Sequence, residues 1–220
     1  MTVLVEACVE SLKEALAAER GGAGRLELCD NLAVGGTTPS VELLASVKRR
    51  VHIPVAVMVR PRGGSFMYTP DELAQLWHDL EIMNALGADM LVSGILTTSG
   101  TIDEPLTREL VTRAGSTPVT IHRAFDAVPD QLAALGTLID SGVARVLTSG
   151  GANTAAEGIG SLAKLVERGS ERISIMAGGK VRGHNAEAIV RGAHVREVHA
   201  RSGQDETQIH ELVTALSSVP

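Results

Sequence analysis

Short apolar runs alternate along this chain with longer stretches in which apolar residues recur at helical spacing. Strands are predicted at eight of the runs, 3–6, 25–28, 55–60, 90–93, 119–122, 145–148, 173–176 and 197–199. Helices are predicted between them, at 11–20, 40–50, 70–86, 105–114, 131–140, 155–168 and 185–192, and a last amphipathic helix at 206–216. The pattern is therefore eight strand–helix units in one chain.

The joints between these units favour a closed parallel sheet. A glycine often separates a helix from the next strand, as at Gly24, Gly87, Gly115, Gly142 and Gly192, which is typical of helix C-terminal caps. Several strands are apolar on both faces, as expected for a parallel sheet covered on each side. We predict an α/β protein, a single (β/α)₈ TIM barrel over residues 1–220, near the short end of that fold. The alternative is an open doubly wound sheet.

Composition excludes several classes of partner. Hydrophobic residues make up 44% of the chain but aromatic residues only 2%, so Val, Leu, Ile and Ala must fill the core. The net charge of −6 predicts no nucleic-acid binding, which needs clustered Lys and Arg. Neither a membrane span nor a secretory signal is found in the sequence. Two cysteines cannot form a disulfide framework, so we expect a reducing, cytoplasmic setting.

The two cysteines occur in matching segments, Val5-Glu6-Ala7-Cys8 and Leu26-Glu27-Leu28-Cys29. Residues i and i+2 of a strand point to the same face, so each segment presents a carboxylate and a thiol together. Two thiolates suit the soft ion Cu(I). Cysteine is also among the residues most often buried as a small hydrophobe. A soft-metal site and simple core packing therefore both remain open at this point.

In a barrel of this kind the active site forms at the C-terminal ends of the strands. The charged candidates there are Glu6, Glu27, His122, Asp126 and His199. Either histidine suits general acid–base catalysis or metal ligation. The remaining histidines are predicted on the surface; they are His52, His78, His184, His194 and His210. Lys180 is the only lysine near a strand end, and it lies in a loop, which argues against Schiff-base chemistry.

Two kinds of anion site are also predicted at the strand ends. Arg60 and Arg62 flank Pro61 and present guanidinium groups that suit a carboxylate or a phosphate. The alternative is that one arginine pairs with Glu6 or Glu27 inside the mouth. Glycine-rich loops can hold phosphate on backbone N–H groups, and the candidates are Ser149, Gly150, Gly178 and Gly179. Their alternative role is only to permit tight turns.

Several strand-end motifs, taken in their order along the chain, resemble those of the copper homeostasis protein CutC family over about residues 3–202. They are the two Glu–Cys segments, Gly35-Gly36-Thr37-Thr38-Pro39-Ser40, Arg60-Pro61-Arg62-Gly63-Gly64, Val119–Asp126, Arg145–Gly150 and Ile175–Gly179. The resemblance implies a TIM barrel, a cytosolic location, a homodimer and copper handling, with Cys8 and Cys29 matching the proposed Cu(I) ligands. Position 180 departs from the family because it is Lys instead of Gly, and the segment after His199 is short.

Two functional hypotheses result. In the first, the chain is a copper homeostasis protein that binds Cu(I) through Cys8 and Cys29. In the second, it is a barrel enzyme acting on a small anionic molecule, a phosphate or a carboxylate. Arg60 and Arg62 would then hold the anion, His122 and Glu27 would move protons, and the remaining candidates would orient groups or bind metal: Glu6, Asp126 and His199.

Overall fold

Eight parallel strands close into a barrel in the order in which they occur along the chain. The computed structural model describes residues 3–219. The strands are β1 (Leu4–Val9), β2 (Arg25–Leu28), β3 (Val55–Met58), β4 (Met90–Ser93), β5 (Val119–Ile121), β6 (Arg145–Thr148), β7 (Ser174–Ala177) and β8 (Glu197–Arg201). This confirms the predicted TIM barrel and shows that the open doubly wound sheet was wrong.

A helix follows each strand and covers the outside of the barrel. The helices are α1 (Leu12–Arg20), α2 (Val41–Lys48), α3 (Pro70–Ala85), α4 (Glu104–Ala114), α5 (Gln131–Asp140), α6 (Ile159–Gly169), α7 (Gly183–Ala193) and α8 (Thr207–Leu216). Short 3₁₀ helices at Leu32–Val34 and Arg123–Ala127 follow β2 and β5. Within residues 3–219, no helix is both long and apolar enough to cross a membrane.

Local sequence explains where several helices begin. Ser11 and Ser40 each accept a backbone N–H bond at the start of α1 and α2. Thr69 and Glu72 form a capping box at the start of α3, with Pro70 in the first turn. Helix α6 begins at Ile159 instead of at the predicted 155, because Thr154 and Glu157 bond each other's backbone N–H groups in a separate turn.

The two faces of the strands have different surroundings. Leu26 and Leu28 of β2 belong to the main apolar core, together with residues of the helices such as Leu44, whereas Arg25 and Glu27 alternate with them on the other face. A smaller apolar cluster comprises Cys8, Cys29, Ala56, Met58 and Val92. The inside of the barrel is therefore partly ionic, while the layer between barrel and helices is apolar.

The closing pair of strands determines the position of Glu6. Strand β1 runs to Val9, beyond the predicted end at residue 6, so Glu6 lies in the middle of the strand instead of at its end. In the parallel pairing of β1 with β8, Glu6 is opposite His199 and Cys8 is opposite Arg201. Glu6 is consequently held below the mouth, while Cys8 reaches it.

Candidate functional site

A cavity of about 480 Å³ opens at the C-terminal ends of the strands. Its wall combines acidic, thiol and cationic side chains with apolar residues and is formed by Cys8, Glu27, Leu32, Val34, Gly35, Met58, Arg60, Gly64, Phe66, His122, Arg123, Leu147, His199 and Arg201. Five of the predicted site residues, Cys8, Glu27, Arg60, His122 and His199, are therefore brought together. Arg62 and Asp126 are not part of this wall.

His199 lies between two buried carboxylates. Its Nδ1 is 2.9 Å from Glu6 Oε1, and its Nε2 is 3.7 Å from Glu27 Oε2. Burial alone would lower the pKa of His199, but the charge of Glu27 and the hydrogen bonds to Cys8 and Glu6 raise it well above its ordinary value. His199 is accordingly a cation at neutral pH, and its Nδ1–H donates to Glu6.

The two carboxylates differ in acidity because their neighbours differ. Burial would raise the pKa of Glu6, but the hydrogen bond from His199 and the charge of Arg25 lower it to about 2. Burial raises the pKa of Glu27, and the nearby charge of Glu6 adds to this, although the charge of His199 opposes both. Glu6 is therefore ionised at neutral pH, whereas Glu27 gains a proton more readily than Glu6 does.

An ionic chain inside the barrel supports Glu6. Arg25 forms an ion pair with Glu6 through Nε, and its Nη2 is 2.5 Å from Glu197 Oε2. Arg145 Nε lies 2.7 Å from the same Glu197 oxygen. Sequence analysis missed these three residues and instead considered Arg60 or Arg62 as the partner of Glu6. The available signal was the alternation of Arg25 and Glu27 on one face of β2.

The two cysteines are reduced and adjacent. Their Sγ atoms are 3.9 Å apart, and Cys29 Sγ is 3.6 Å from Glu27 Oε2. Ligand atoms of Cys8, Glu27 and His199 all lie within 4.8 Å of one another. The hydrogen bond with Cys29 and burial raise the pKa of Cys8 well above its ordinary value. Although the bond from Cys8 lowers the pKa of Cys29, burial and Glu27 raise it to about 11.

This donor set fits a soft metal ion. Both thiols hold protons at neutral pH, in part because the negative charge of the neighbouring carboxylates raises their pKa. The same negative charge attracts a metal cation. Glu27 Oε1 is buried and has no hydrogen-bond partner among the described residues. Thiolates favour Cu(I), and an imidazole suits copper as well. Cys8, Cys29 and His199 can therefore serve as ligands, with Glu27 supplying charge.

The two predicted anion-binding arginines have different surroundings. Arg60 donates from Nη2 to the Gly64 carbonyl at 2.8 Å and from Nη1 to the carbonyls of Gly35 and Gly36. Arg62 instead pairs with Glu72 at 2.6 and 3.0 Å and donates to three loop carbonyls. The predicted clamp of two arginines does not form, since Glu72 at the start of α3 takes up Arg62.

His122 is buried beside Arg60. Its Nδ1 accepts a hydrogen bond from the Ala124 backbone N–H at 3.2 Å. Burial, followed by the charge of Arg60, lowers the pKa of His122 to about 3. The imidazole is therefore neutral, and its proton resides on Nε2, because Nδ1 acts as an acceptor. Its ring packs against Phe66 with the ring centroids 4.9 Å apart.

Asp126 fills the glycine-rich loop that was predicted to bind phosphate. Its carboxylate accepts from Ser149 N at 3.0 Å, from Gly151 N at 3.2 Å and from Thr148 Oγ1 at 2.5 Å. The Gly150 N–H donates to Thr148 Oγ1. These donors are therefore bonded within the protein itself, and Asp126, Ser149 and Gly150 lie outside the residues that line the cavity.

The second glycine loop also has a structural explanation. Gly178 N donates to the Thr148 carbonyl at 2.9 Å, and a Cβ at this position would overlap Leu147. Gly179 has a φ of +106°, a conformation that glycine adopts freely. Both observations agree with the alternative weighed for these glycines, that they permit the turn.

The five histidines predicted on the surface are all exposed, namely His52, His78, His184, His194 and His210. Their separation from the mouth leaves His122 and His199 as the two imidazoles of the site. Other residues of the wall that sequence analysis did not single out are Phe66, Arg123 and Arg201. Phe66 follows Arg60 by six residues in a loop, so no strand pattern pointed to it.

Comparison with known proteins places the chain among close relatives. The family model described as CutC family matches residues 3–204. The copper homeostasis protein cutC homolog of Homo sapiens is 47% identical over 204 residues, which cover 92% of this chain and 75% of the relative. A family protein CutC from Chromobacterium violaceum is 42% identical over 200 residues, or 91% of this chain and 81% of the relative.

Solved structures agree with this assignment. A crystal structure of the copper homeostasis protein CutC from Streptococcus agalactiae matches with a TM-score of 0.87 and 37% identity, covering 93% of this chain and 100% of the other. The thiamine phosphate pyrophosphorylase of Pyrococcus furiosus matches with a TM-score of 0.68 and 14% identity over 99% of this chain and 96% of the other. The second likeness concerns the barrel fold alone.

Proposed function

The chain belongs to the CutC family, and we propose that it acts in copper homeostasis by binding Cu(I) in the barrel mouth. The proposal is carried by one observation, the convergence of Cys8, Glu27 and His199 within 4.8 Å, with Cys29 Sγ 3.9 Å from Cys8 Sγ. The names of its relatives, copper homeostasis proteins from Homo sapiens and Mus musculus, support it.

The ligands have different access to the cavity. Cys8 and His199 line the cavity wall, whereas Cys29 is fully buried behind them. An ion that enters from the cavity meets Cys8 and His199 first, and Cys29 then supplies a second sulfur. Glu27, 3.6 Å from Cys29 Sγ, contributes negative charge that balances the cation.

Binding exchanges protons for copper. At neutral pH both thiols are protonated and His199 is a cation. Thiolate and neutral imidazole are the ligating forms, so these groups release their protons when the ion binds. Affinity for Cu(I) is therefore expected to rise with pH.

An anaerobic titration tests the proposal, with Cu(I) delivered from its complex with the chelator bicinchoninate. We expect the variants Cys8→Ser and Cys29→Ser each to bind Cu(I) more than about 10-fold more weakly than the unmodified protein, because loss of a group that only supports a ligand already costs about 10- to 100-fold. Val92→Thr is the matched control, because Val92 belongs to the same inner cluster and has no ligand atom. Unchanged affinity in the double cysteine variant would disprove the two-thiol site.

A cytoplasmic location and a homodimer belong to the same proposal. Both rest on the family resemblance, and two free cysteines are typical of proteins kept in a reducing compartment. Sedimentation equilibrium measures the assembly directly. A mass of one chain at micromolar concentration would rule out the homodimer.

A further inference from the structure

Three buried polar atoms on the cavity wall have no hydrogen-bond partner within residues 3–219. They are Glu27 Oε1, Arg60 Nε and His122 Nε2. A buried polar group left without a partner costs about 1–3 kcal/mol, so folded proteins seldom retain one without a reason. Here all three atoms belong to side chains that line one cavity, and none of the atoms takes part in the ionic chain beneath it.

Two of the three atoms are donors that belong to side chains packed against Phe66. The Arg60 guanidinium carbon lies 4.7 Å from the Phe66 ring centroid, and the His122 ring centroid lies 4.9 Å from it. His122 Nε2 carries the proton because Nδ1 already accepts from Ala124. The Arg60 Nε–H is a donor at any pH, and the other guanidinium nitrogens are occupied by carbonyls.

The third atom is an acceptor on a different strand. Glu27 uses Oε2 toward Cys29 and His199, which leaves Oε1 free for a donor. A ligand that satisfies all three atoms must therefore present an acceptor oxygen to Arg60 and His122, and a hydroxyl or amine to Glu27.

We propose that the mouth binds a small organic hydroxy acid, whose carboxylate accepts from His122 Nε2–H and Arg60 Nε–H while its hydroxyl donates to Glu27 Oε1. The cavity of about 480 Å³ is in the size range of small-molecule sites. This inference goes beyond copper binding and shares only Glu27 with the proposed metal cluster.

A carboxylate suits these donors better than a phosphate does. The backbone N–H groups of Ser149 and Gly151 that could hold phosphate are taken by Asp126. Two further cations of the wall are already paired, Arg123 with Asp126 at 2.6 Å and Arg201 with Glu10 at 3.1 Å. One arginine and one neutral imidazole match the single charge of a carboxylate.

Isothermal titration of metal-free protein with three probes tests the ligand class. L-malate has carboxylates and an alcohol hydroxyl, succinate lacks the hydroxyl, and inorganic phosphate has no carboxylate. We expect L-malate to bind about 10-fold more tightly than succinate, since only malate donates to Glu27. Phosphate that binds as well as malate, or malate that fails to bind at millimolar concentration, would overturn the proposal.

Two variants of His122 separate its two nitrogens. Asparagine places an acceptor where Nδ1 lies, so His122→Asn retains the bond to Ala124 and removes the Nε2 donor. Glutamine reaches the Nε2 position, so His122→Gln retains the donor and loses the bond to Ala124. We expect malate affinity to fall about 10-fold in the first variant and to persist in the second. The reverse order would refute the role of Nε2–H.

Controls keep the two proposals separable. His78→Asn makes the same chemical change at an exposed position of α3 and is expected to leave malate binding unchanged. Circular dichroism shows whether each variant is folded. The comparison of malate with succinate uses the unmodified protein, so it tests the proposal even if a variant unfolds. Because the titration contains no copper, its failure has no bearing on the Cu(I) experiment.

Discussion

Replacing Glu6 by glutamine removes one charge from the ionic chain and keeps the shape of the side chain. Glu6 is 2% exposed and is bonded to both Arg25 and His199. Its pKa falls from 4.5 to about 2 on folding, although burial works in the opposite direction. Each pKa unit corresponds to about 1.4 kcal/mol, so the ionised carboxylate contributes on the order of 3 kcal/mol to the free energy of unfolding.

The sign of the pH dependence follows from the lowered pKa. The contribution of Glu6 is fully present above about pH 4.5, the pKa of the unfolded chain, and is lost as the pH falls toward the folded value near 2. Glu6→Gln is therefore expected to lower the free energy of unfolding by about 3 kcal/mol at pH 7. The difference from the unmodified protein is expected to shrink by about half between pH 5 and pH 3.

Urea unfolding followed by the fluorescence of Trp77, the single tryptophan, measures this difference. Glu187→Gln is the matched control, because Glu187 is paired with Arg191 on the surface of α7 and is 52% exposed. Such a pair is worth only about 0.3–0.5 kcal/mol. A loss at Glu6 no larger than the control, or a loss that stays constant down to pH 3, would refute the assignment of Glu6 as a stabilising buried anion.

Two further predictions concern the loop after β6. Asp126→Asn is expected to lower the free energy of unfolding by about 1–3 kcal/mol, because an amide cannot accept from all the donors that the carboxylate binds. Asp140→Asn, at an exposed helix end, is the control. Equal urea midpoints for the two variants would contradict the prediction. Gly158→Ala is expected to lower the melting temperature, since its Cβ would overlap the Ser149 carbonyl, while Gly160→Ala, with open space around it, is expected to raise stability by roughly 0.5–1 kcal/mol. Equal melting temperatures for the two alanine variants would argue against the close approach at Gly158.

The barrel could be predicted from sequence because its signals are local. Each strand–helix unit has its own apolar pattern, and several have their own helix cap, as Thr69 and Glu72 show at α3. The boundaries are less accurate where a turn is maintained by side chains, as at Thr154 and Glu157 before α6. Periodicity identifies which residues face inward, and it correctly placed Glu27, His122 and His199 at the mouth.

Partners within the site could not be predicted in the same way. Arg62 and Asp126 occupy positions typical of functional residues, but each is bonded to a group that the local pattern does not specify. Arg62 meets Glu72 across a loop, and Asp126 meets Ser149 from the next strand unit. Arg25 was overlooked because one arginine at the start of a strand resembles a surface residue until the barrel closes around it. Pairing of this kind depends on the three-dimensional arrangement of the strands.

The ionic chain also has a consequence for how the barrel selects its strand alignment. Arg25 and Glu27 alternate with Leu26 and Leu28, so a slip of β2 by one residue would turn both charges into the apolar layer beneath the helices. At the seam between β1 and β8, the bond from His199 to Glu6 joins residues 193 positions apart. Misaligned closure would leave these charges buried without partners, at a cost of several kcal/mol. The buried charges thus favour the observed register of the strands over shifted ones when the barrel closes.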